Sequence, residues 1–445
     1  MTHLEKAYRN EEVLDLADRA LAATGLLEGG QRVDLLLRKA SRLDLLGRPD
    51  AERAALDEAR RLADAAGDPS LRARVLTSLA RHLNIASRFE ASRAACVEAV
   101  ELARACGDRG REIAAVGVLG VALALLSRHA EAQECHERRL AHAETTGDLA
   151  EQAAATINLG IGHLSLGRFD EARRSHERGL ALAKSAGQRR WECNATGNLS
   201  NVLRDGLGRL AEARVLNARH LEIAREIGFR GGEVNGLLSS CSTLVLSGRD
   251  GEAEQRLELA LAASREIGDR RSEAIVLSRL AEAASRRGAP DDAERFHRGA
   301  LEVSVAIGNR DRAAEVNVAF GDFLLQSGRR DEAVAAYSEA VRHAEAAGAD
   351  EPHAEALARL AALGAREPAD AVRAFASAEG AMSFSTRMDV NFVLWKATRD
   401  AARLAEAKRL LDHLVAHAPA EDRVSMIENV PLHREIAAAA REARL

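Results

Sequence analysis

The segment Asn158-Leu-Gly-Ile-Gly-His-Leu-Ser-Leu-Gly-Arg-Phe-Asp-Glu-Ala172 decides the fold. Gly160 stands seven residues before Gly167, and Ala172 stands five after it. Small residues at those offsets on either side of a Gly-Arg turn mark two helices that approach closely. A bulky side chain at either place would force them apart, at about 1–3 kcal/mol. The segment Asn198-Leu-Ser-Asn-Val-Leu-Arg-Asp-Gly-Leu-Gly-Arg-Leu-Ala-Glu-Ala213 repeats the pattern with one residue more.

Working outward, a second series of glycines recurs at Gly67, Gly107, Gly147, Gly187, Gly228, Gly268, Gly308 and Gly348, every 40 residues with a single step of 41. Midway between them stand Gly47, Ser87, Ser127, Gly167, Gly208, Gly248, Gly288 and Gly328. Each period therefore splits into two helices of about 17 residues, a hairpin roughly 25 Å long. Glycine closes a helix in the left-handed conformation, and Asp68, Asp108, Asp148 and Asp269 are placed to cap the next one. Asp50, Asp170, Asp291 and Asp331 are expected to act similarly at the second helices. The Arg after each mid-repeat turn either meets the negative end of the helix just finished or lies idle on the surface. The first small position is filled by Ala40, Ala80, Gly120, Gly160, Ser200, Cys241, Ala281 and Gly321; the second by Ala132, Ala172, Ala213, Ala253, Ala293 and Ala333, with Glu52 and Ser92 departing.

Composition agrees with a helical array. Of 445 residues 47% are apolar but only 3% aromatic, and there are 7 prolines. Such a core is built from Ala, Leu and Val on helices, and a chain this apolar is not disordered. A formal charge of −5 with no Lys/Arg block argues against nucleic-acid binding. The longest apolar run, Ile113 to Leu126, has 14 residues, short of the roughly 20 that cross a membrane. The opening Met1-Thr-His-Leu-Glu-Lys lacks a signal-peptide core. Cys96, Cys106, Cys135, Cys193 and Cys241 match neither a zinc site nor a disulfide framework. A cytoplasmic protein without cofactor or metal is expected.

The two quoted segments resemble tetratricopeptide repeats of the long, roughly 40-residue bacterial type. HEAT and armadillo arrays have similar periods, but the Leu-Gly-Arg-x-x-Glu-Ala turn fits them poorly. The resemblance implies an all-α, right-handed α-solenoid: a capping helix within residues 1–29, eight hairpins over 30–347, and a degenerate repeat with capping helices over 348–445. Within these ends, 4–24 reads as one helix, 351–363 and 369–378 as shortened helices, 380–384 as a loop and 387–417 as two helices. The closing Ile427-Glu-Asn-Val-Pro-Leu-His-Arg-Glu-Ile436 resembles the tail that ends such arrays in large bacterial signalling ATPases and kinases.

No Gly-Lys pair exists, so the phosphate-binding Gly-x4-Gly-Lys loop is absent. There is no Gly-x-Ser-x-Gly elbow and no His-Glu-x-x-His. His136, His176 and His297 share one repeat position with Cys96, Asn217, Leu257 and Tyr337, which reads as packing ahead of metal binding or catalysis. No enzymatic activity is expected.

In the resembled family the first helices line a concave groove for a peptide or protein segment, with Asn residues on the ligand backbone. Carried over by position, this gives Arg81 and Asn84, then Val121 and Ala124, Ile161 and Leu164, then Asn194, Asn198, Asn201 and Arg204, and Asn235. An apolar floor between polar, partly basic rims is expected, suited to a segment with acidic ends. Asn inside a helix costs about 0.5–0.7 kcal/mol relative to Ala, so three within eight residues need a reason. Hydration or bonds to the next hairpin would be reason enough without a ligand. The run 113–126 reads equally as a helix buried between neighbours. The extra residue in Arg204-Asp-Gly-Leu-Gly208 reads first as a longer turn and otherwise as a π-bulge. The chain is expected to be a scaffold for such a segment or, alternatively, a sensor array acting on a separate effector; a homo-oligomer is compatible with both.

Overall fold

The computed structural model describes residues 1–23, 25–126 and 128–445. It is all-α. Eight hairpins pair Gly29–Leu45 with Pro49–Ala66, Pro69–Ile85 with Phe89–Ala105, Arg109–Leu125 with His129–Thr146 and Leu149–Ser165 with Phe169–Ser185. Then come Arg189–Asn201 with Leu210–Glu226, Arg230–Leu246 with Asp250–Glu266, Arg270–Arg286 with Pro290–Ala306, and Arg310–Gln326 with Arg330–Ala347. The turns follow one design, seen at Gly167, where φ is 69°. Gly167 N donates to Leu164 O at 3.0 Å and Arg168 N to His163 O at 2.9 Å, so two carbonyls left over at the helix end are satisfied. Ser87 does the same at φ 57°; Ser127 lies outside the described residues.

Asp68, Asp108, Asp148 and Asp269 each accept a backbone N–H of the helix they precede. Asp50, Asp170, Asp291 and Asp331 do not. They sit inside the first turn and make no cap bond, so their contribution is to the helix dipole. Three of the turn arginines point forward: Arg128, Arg209 and Arg329 each place Nε and Nη2 on both oxygens of Glu131, Glu212 and Glu332, at 2.6–2.7 Å, whereas Arg48 pairs with Glu11. That fork explains the Arg-x-x-Glu spacing of the repeat.

The small positions are buried throughout, and each faces the residue sixteen or seventeen further on. Where the first is glycine the second is a ring: a Cβ on Gly120 would stand 2.7 Å from His136 Cε1, one on Gly160 would stand 2.6 Å from His176 Cε1, and Gly321 lies against Tyr337. Ala80 instead faces Cys96, in one apolar cluster. Helix Arg109–Leu125, apolar almost all round, is buried along Ile113, Val116, Val118 and Leu123 between its neighbours.

The solenoid also winds back onto itself. Gly47 abuts Ile267 and Arg230; Asn10 Nδ2 donates to Ile227 O at 3.1 Å; Arg190 Nη1 pairs with Asp44 Oδ2 at 2.7 Å. Leu45, Cys193, Ile223, Ile227 and Phe229 form one core, with Tyr8 against it. Tyr8, at φ 53°, turns the chain there, so the single helix expected over 4–24 is two, Thr2–Lys6 and Asn10–Ala22; Thr24 lies outside the described residues. On the opposite edge, helices Phe384–Thr398 and Ala401–Ala416 close over the mid-repeat turns. His413 Nε2 bonds Leu207 O at 3.0 Å, Ala211 N donates to His417 O at 3.0 Å, and Ser425 Oγ donates to Ser247 O at 2.7 Å. Leu210 joins Phe384, Met388, Leu411 and Met426 in a shared core. Repeats five and six are thereby held from both edges.

The 41-residue period is absorbed inside a helix. Val202–Gly206 is a π-helical turn continuing Arg189–Asn201, and Leu207 N reaches back to Val202 O at 3.1 Å. The longer-turn expectation is corrected. The extra residue carries Leu207 and Gly208 to where His413 and Phe384 dock.

Candidate partner-binding channel

On each first helix, one stripe escapes burial against the partner helix. Arg74, Ala114, Asn194, Asn235, Ile275, Glu315 and Glu355 occupy one row of it, in which the repeat-four position, Ala154, is buried; Arg81, Val121, Ile161, Asn201, Ser242, Glu282 and Asp322 occupy another. These rows face a common interior. Arg81, in repeat two, feels Arg190 of repeat five and Asp44 of repeat one, and Arg279 and Glu351 both feel Asp205. Only a tightly curved inner wall brings such distant repeats within electrostatic reach.

The sequence-derived residues fall on two adjoining parts of this wall. Arg81, Ile161 and Asn235 are exposed, and Val121, Asn194, Asn198 and Asn201 are half-buried. Asn84, Ala124, Leu164 and Arg204 occupy the next row, near the helix ends. Arg204 departs from the expectation of a basic rim. It is 7% exposed, and its guanidinium is spent on Asp205, on Ser239 Oγ at 2.6 Å and on Ser239 O at 3.1 Å. Ser239 Oγ in turn donates to Asn201 Oδ1 at 2.7 Å. The π-turn draws Arg204 into this bond network between helices, leaving the amides of Asn194, Asn198 and Asn235 as the open polar groups.

Electrostatics divide the wall. At the repeat-two end, Arg74 pairs with Asp34, while Arg139 pairs with Glu151 at 2.7 Å. Arg81 has no ion-pair partner among the described residues, and burial, then Arg139 and Arg190, hold its pKa below the ordinary guanidinium value. Arg190 is raised: enclosure works against its charge, but Asp44 outweighs it. The far end, in repeats eight and nine beyond the sequence-derived residues, is acidic. Asp311, Glu315, Asp322, Glu351 and Glu355 stand there; Arg312 pairs with Glu315, and Arg359 meets Asp322 and Glu355. Arg359 is gripped by Asp322 Oδ1 and Asp389 Oδ2, each at 2.7 Å. Burial pushes Glu355 up to about 8, against the pull of Arg359 and with the repulsion of Glu351, Asp389 and Glu315. The signal was present as a run of acids at the same register in repeats eight and nine.

The histidines are packing groups. His136, His176 and His297 are at most 3% exposed, and burial lowers their pKa values to about 3, 4 and 4. His82 Nδ1 lies 2.9 Å from Glu52 Oε2, a pair buried between repeats one and two. Among the described residues no three His, Cys, Asp or Glu side chains are arranged to hold a metal ion, and no helix is long and apolar enough to cross a membrane.

A family profile described as tetratricopeptide repeat matches residues 151–226, the stretch that holds both quoted segments and the three clustered asparagines. That stretch matches the tetratricopeptide repeat, and the chain as a whole has the fold of a solenoid of tetratricopeptide-like hairpins. Solved structures of similar fold include a Rap protein complexed with competence and sporulation factor, at 12% identity and a TM-score of 0.57 over 86% of this chain and 99% of that one. The apo form of the quorum sensor NprR from B. thuringiensis matches at 14% identity and a TM-score of 0.52, over 75% and 98% of the two chains. NprR in complex with its cognate peptide NprX matches at 13% and 0.50, over 72% and 98%. At these identities the likeness is one of fold. No protein of curated function matches the sequence.

Proposed function

We propose that this protein is a non-enzymatic scaffold that captures an extended peptide or protein segment along its inner wall, using Arg81, Asn84, Val121, Ala124, Ile161, Leu164, Asn194, Asn198, Asn201 and Asn235. The observation that carries this is the row of half-open amides at Asn194, Asn198 and Asn235 beside the apolar Val121 and Ile161. A carboxamide donates and accepts at once, which suits a main chain of any sequence, while the apolar patch takes alternate side chains. Two of the similar folds are described with a factor or a peptide bound, which makes a peptide the first occupant to test. The test passes a mixture of randomised synthetic peptides over the immobilised full chain and identifies those retained. Asn194→Ala with Asn198→Ala should lose the retained set while melting at nearly the same temperature; equal loss of stability would return these residues to a structural role.

A second reading, a sensor array acting on a separate effector, is favoured by the contact between superhelical turns at Asp44 and Arg190. A ligand lying inside the channel would touch both turns and shift their balance. Small-angle scattering with and without a retained peptide tests it: an unchanged radius of gyration removes the sensor reading and leaves the scaffold.

A further inference from the structure

We infer that residues 380–429 form a strap whose seat depends on the angle between repeats five and six, and that a segment held on the inner wall loosens it. The coupling stands on the fold alone; its control by an occupant rests on peptide capture.

The strap crosses three consecutive mid-repeat turns in order. Gly380 and Ala381 abut Gly167 of repeat four. Phe384 and His413 lie against Gly208 of repeat five, where the His417 carbonyl accepts Ala211 N at 3.0 Å. Ser425 and Asn429 lie against Gly248 of repeat six, and Asn429 Nδ2 donates to Gly248 O at 3.1 Å. A single seat spread over several turns fits one spacing between them, and that spacing is set by the rotation of each hairpin on the next.

Asp422 is the group most sensitive to this rotation. It is 3% exposed, and its two oxygens accept from arginines of different repeats: Oδ2 from Arg214 Nη1 of repeat five at 3.3 Å, and Oδ1 from Arg249 Nη1 of repeat six at 3.5 Å. Both bonds are long, and each arginine holds another carboxylate at 2.6 Å, Arg214 that of Glu421 and Arg249 that of Glu252. A buried carboxylate held this way is satisfied only while both repeats keep their places. A small shift of either repeat removes a partner from a charge enclosed by protein.

The same two repeats are joined on the inner side by a second set of bonds. Arg204 Nη1 donates to Ser239 Oγ at 2.6 Å and to Ser239 O at 3.1 Å, and Ser239 Oγ donates to Asn201 Oδ1 at 2.7 Å. Asn201 is half-buried on the channel wall with Asn194 and Asn198, so a main chain bound there competes with Ser239 for its carboxamide. Loss of that bond frees repeat six to turn on repeat five, which changes the separation of Arg214 and Arg249 and unseats Asp422. Inner and outer bonds thus act on one joint, and by linkage each biases the other to the same extent. Unseating the strap bares Leu210, Phe384 and Met426, all buried in the docked state.

Hydrogen exchange on the full chain tests the coupling without any ligand. Ser239→Ala should quicken exchange in residues 420–429 by about fivefold or more, the lower end of ordinary coupling between sites, and Asp422→Asn should quicken residues 196–206 to a similar extent. Thr77→Ala, which removes a buried hydroxyl bonded to Ala73 O in repeat two, should leave both segments unchanged and so separates coupling from a general loss of stability. Ser425→Ala, which removes the donor to Ser247 O, supplies the outer arm if Asp422→Asn does not fold. Quickening confined to the substituted side, or an equal effect from Thr77→Ala, would overturn the coupling. A randomised peptide retained on the chain should likewise quicken residues 420–429; a bound peptide that leaves them protected would overturn control by an occupant. If no peptide is retained, capture falls and control by an occupant falls with it, while the two exchange arms still decide the coupling.

Discussion

Gly160 lies flat against the His176 imidazole, so close that a Cβ on the glycine would stand 2.6 Å from Cε1 and 2.8 Å from Nδ1. His176 is fully buried, and its ring occupies the space the glycine vacates. Gly160→Ala should therefore destabilise the chain by about 1–3 kcal/mol, as overpacking does. Hairpin two solves the same joint with Ala80 and Cys96. Gly160→Ala combined with His176→Cys should recover much of the loss, a coupling that denaturant unfolding of the two single variants and the double variant would measure. Additive losses would mean that the two residues do not share one packing site.

The buried rings also set the acid limit of the fold. His136 at about 3 and His176, His297 and His433 at about 4 stay neutral in the folded chain, whereas the unfolded chain binds their protons near pH 6.5. The unfolded state holds more protons throughout that window. Stability is thus present above pH 6.5 and is lost as pH falls toward 4, on the order of 3 kcal/mol for each histidine. Urea midpoints measured from pH 7 to pH 4 should fall, and His176→Phe, which keeps a ring against Gly160, should flatten the fall. A slope unchanged by that substitution would move the acid sensitivity elsewhere.

The contact between superhelical turns makes a separate claim. Arg190 holds Asp44 across 146 residues of chain, and Asn10 reaches Ile227 across 217. Asp44→Ala with Asn10→Ala removes both polar links while leaving every hairpin intact. Small-angle scattering should report a larger radius of gyration at nearly unchanged helicity. An unchanged radius would show that the apolar cluster around Ile227 and Phe229 suffices to hold the turns together.

What the sequence told and withheld follows from the range of each interaction. The turn glycines, the Asp caps and the small–large pairs are satisfied within one hairpin, so a 40-residue period displays them in order. The self-contact of the solenoid was illegible because Asn10 and Ile227, or Gly47 and Ile267, belong to no shared period. Arg204 was misplaced for a related reason: its register matches that of Asn84 and Leu164, but Ser239 from the next repeat takes its guanidinium. On the inner wall, the asparagines stood out because their type is unusual within a helix. The acids of repeats eight and nine did not, since Glu is ordinary on any helix until its surroundings are known.

The π-turn at Val202–Gly206 joins a local irregularity to a distant contact. One extra residue displaces the end of the helix, and the displaced Leu207 carbonyl then accepts His413 Nε2 at 3.0 Å while Gly208 meets Phe384. A π-turn costs good hydrogen-bond geometry, so it persists where packing repays it. Deleting Gly206 restores the 40-residue spacing and should let the helix run on as an ordinary α-helix. The repeat itself gains regularity, whereas the C-terminal helices lose their seat. Hydrogen exchange should therefore quicken in residues 384–442 and stay slow in residues 109–185. Equal protection of the C-terminal helices after the deletion would show that the extra residue is housed by the π-turn without serving the docking.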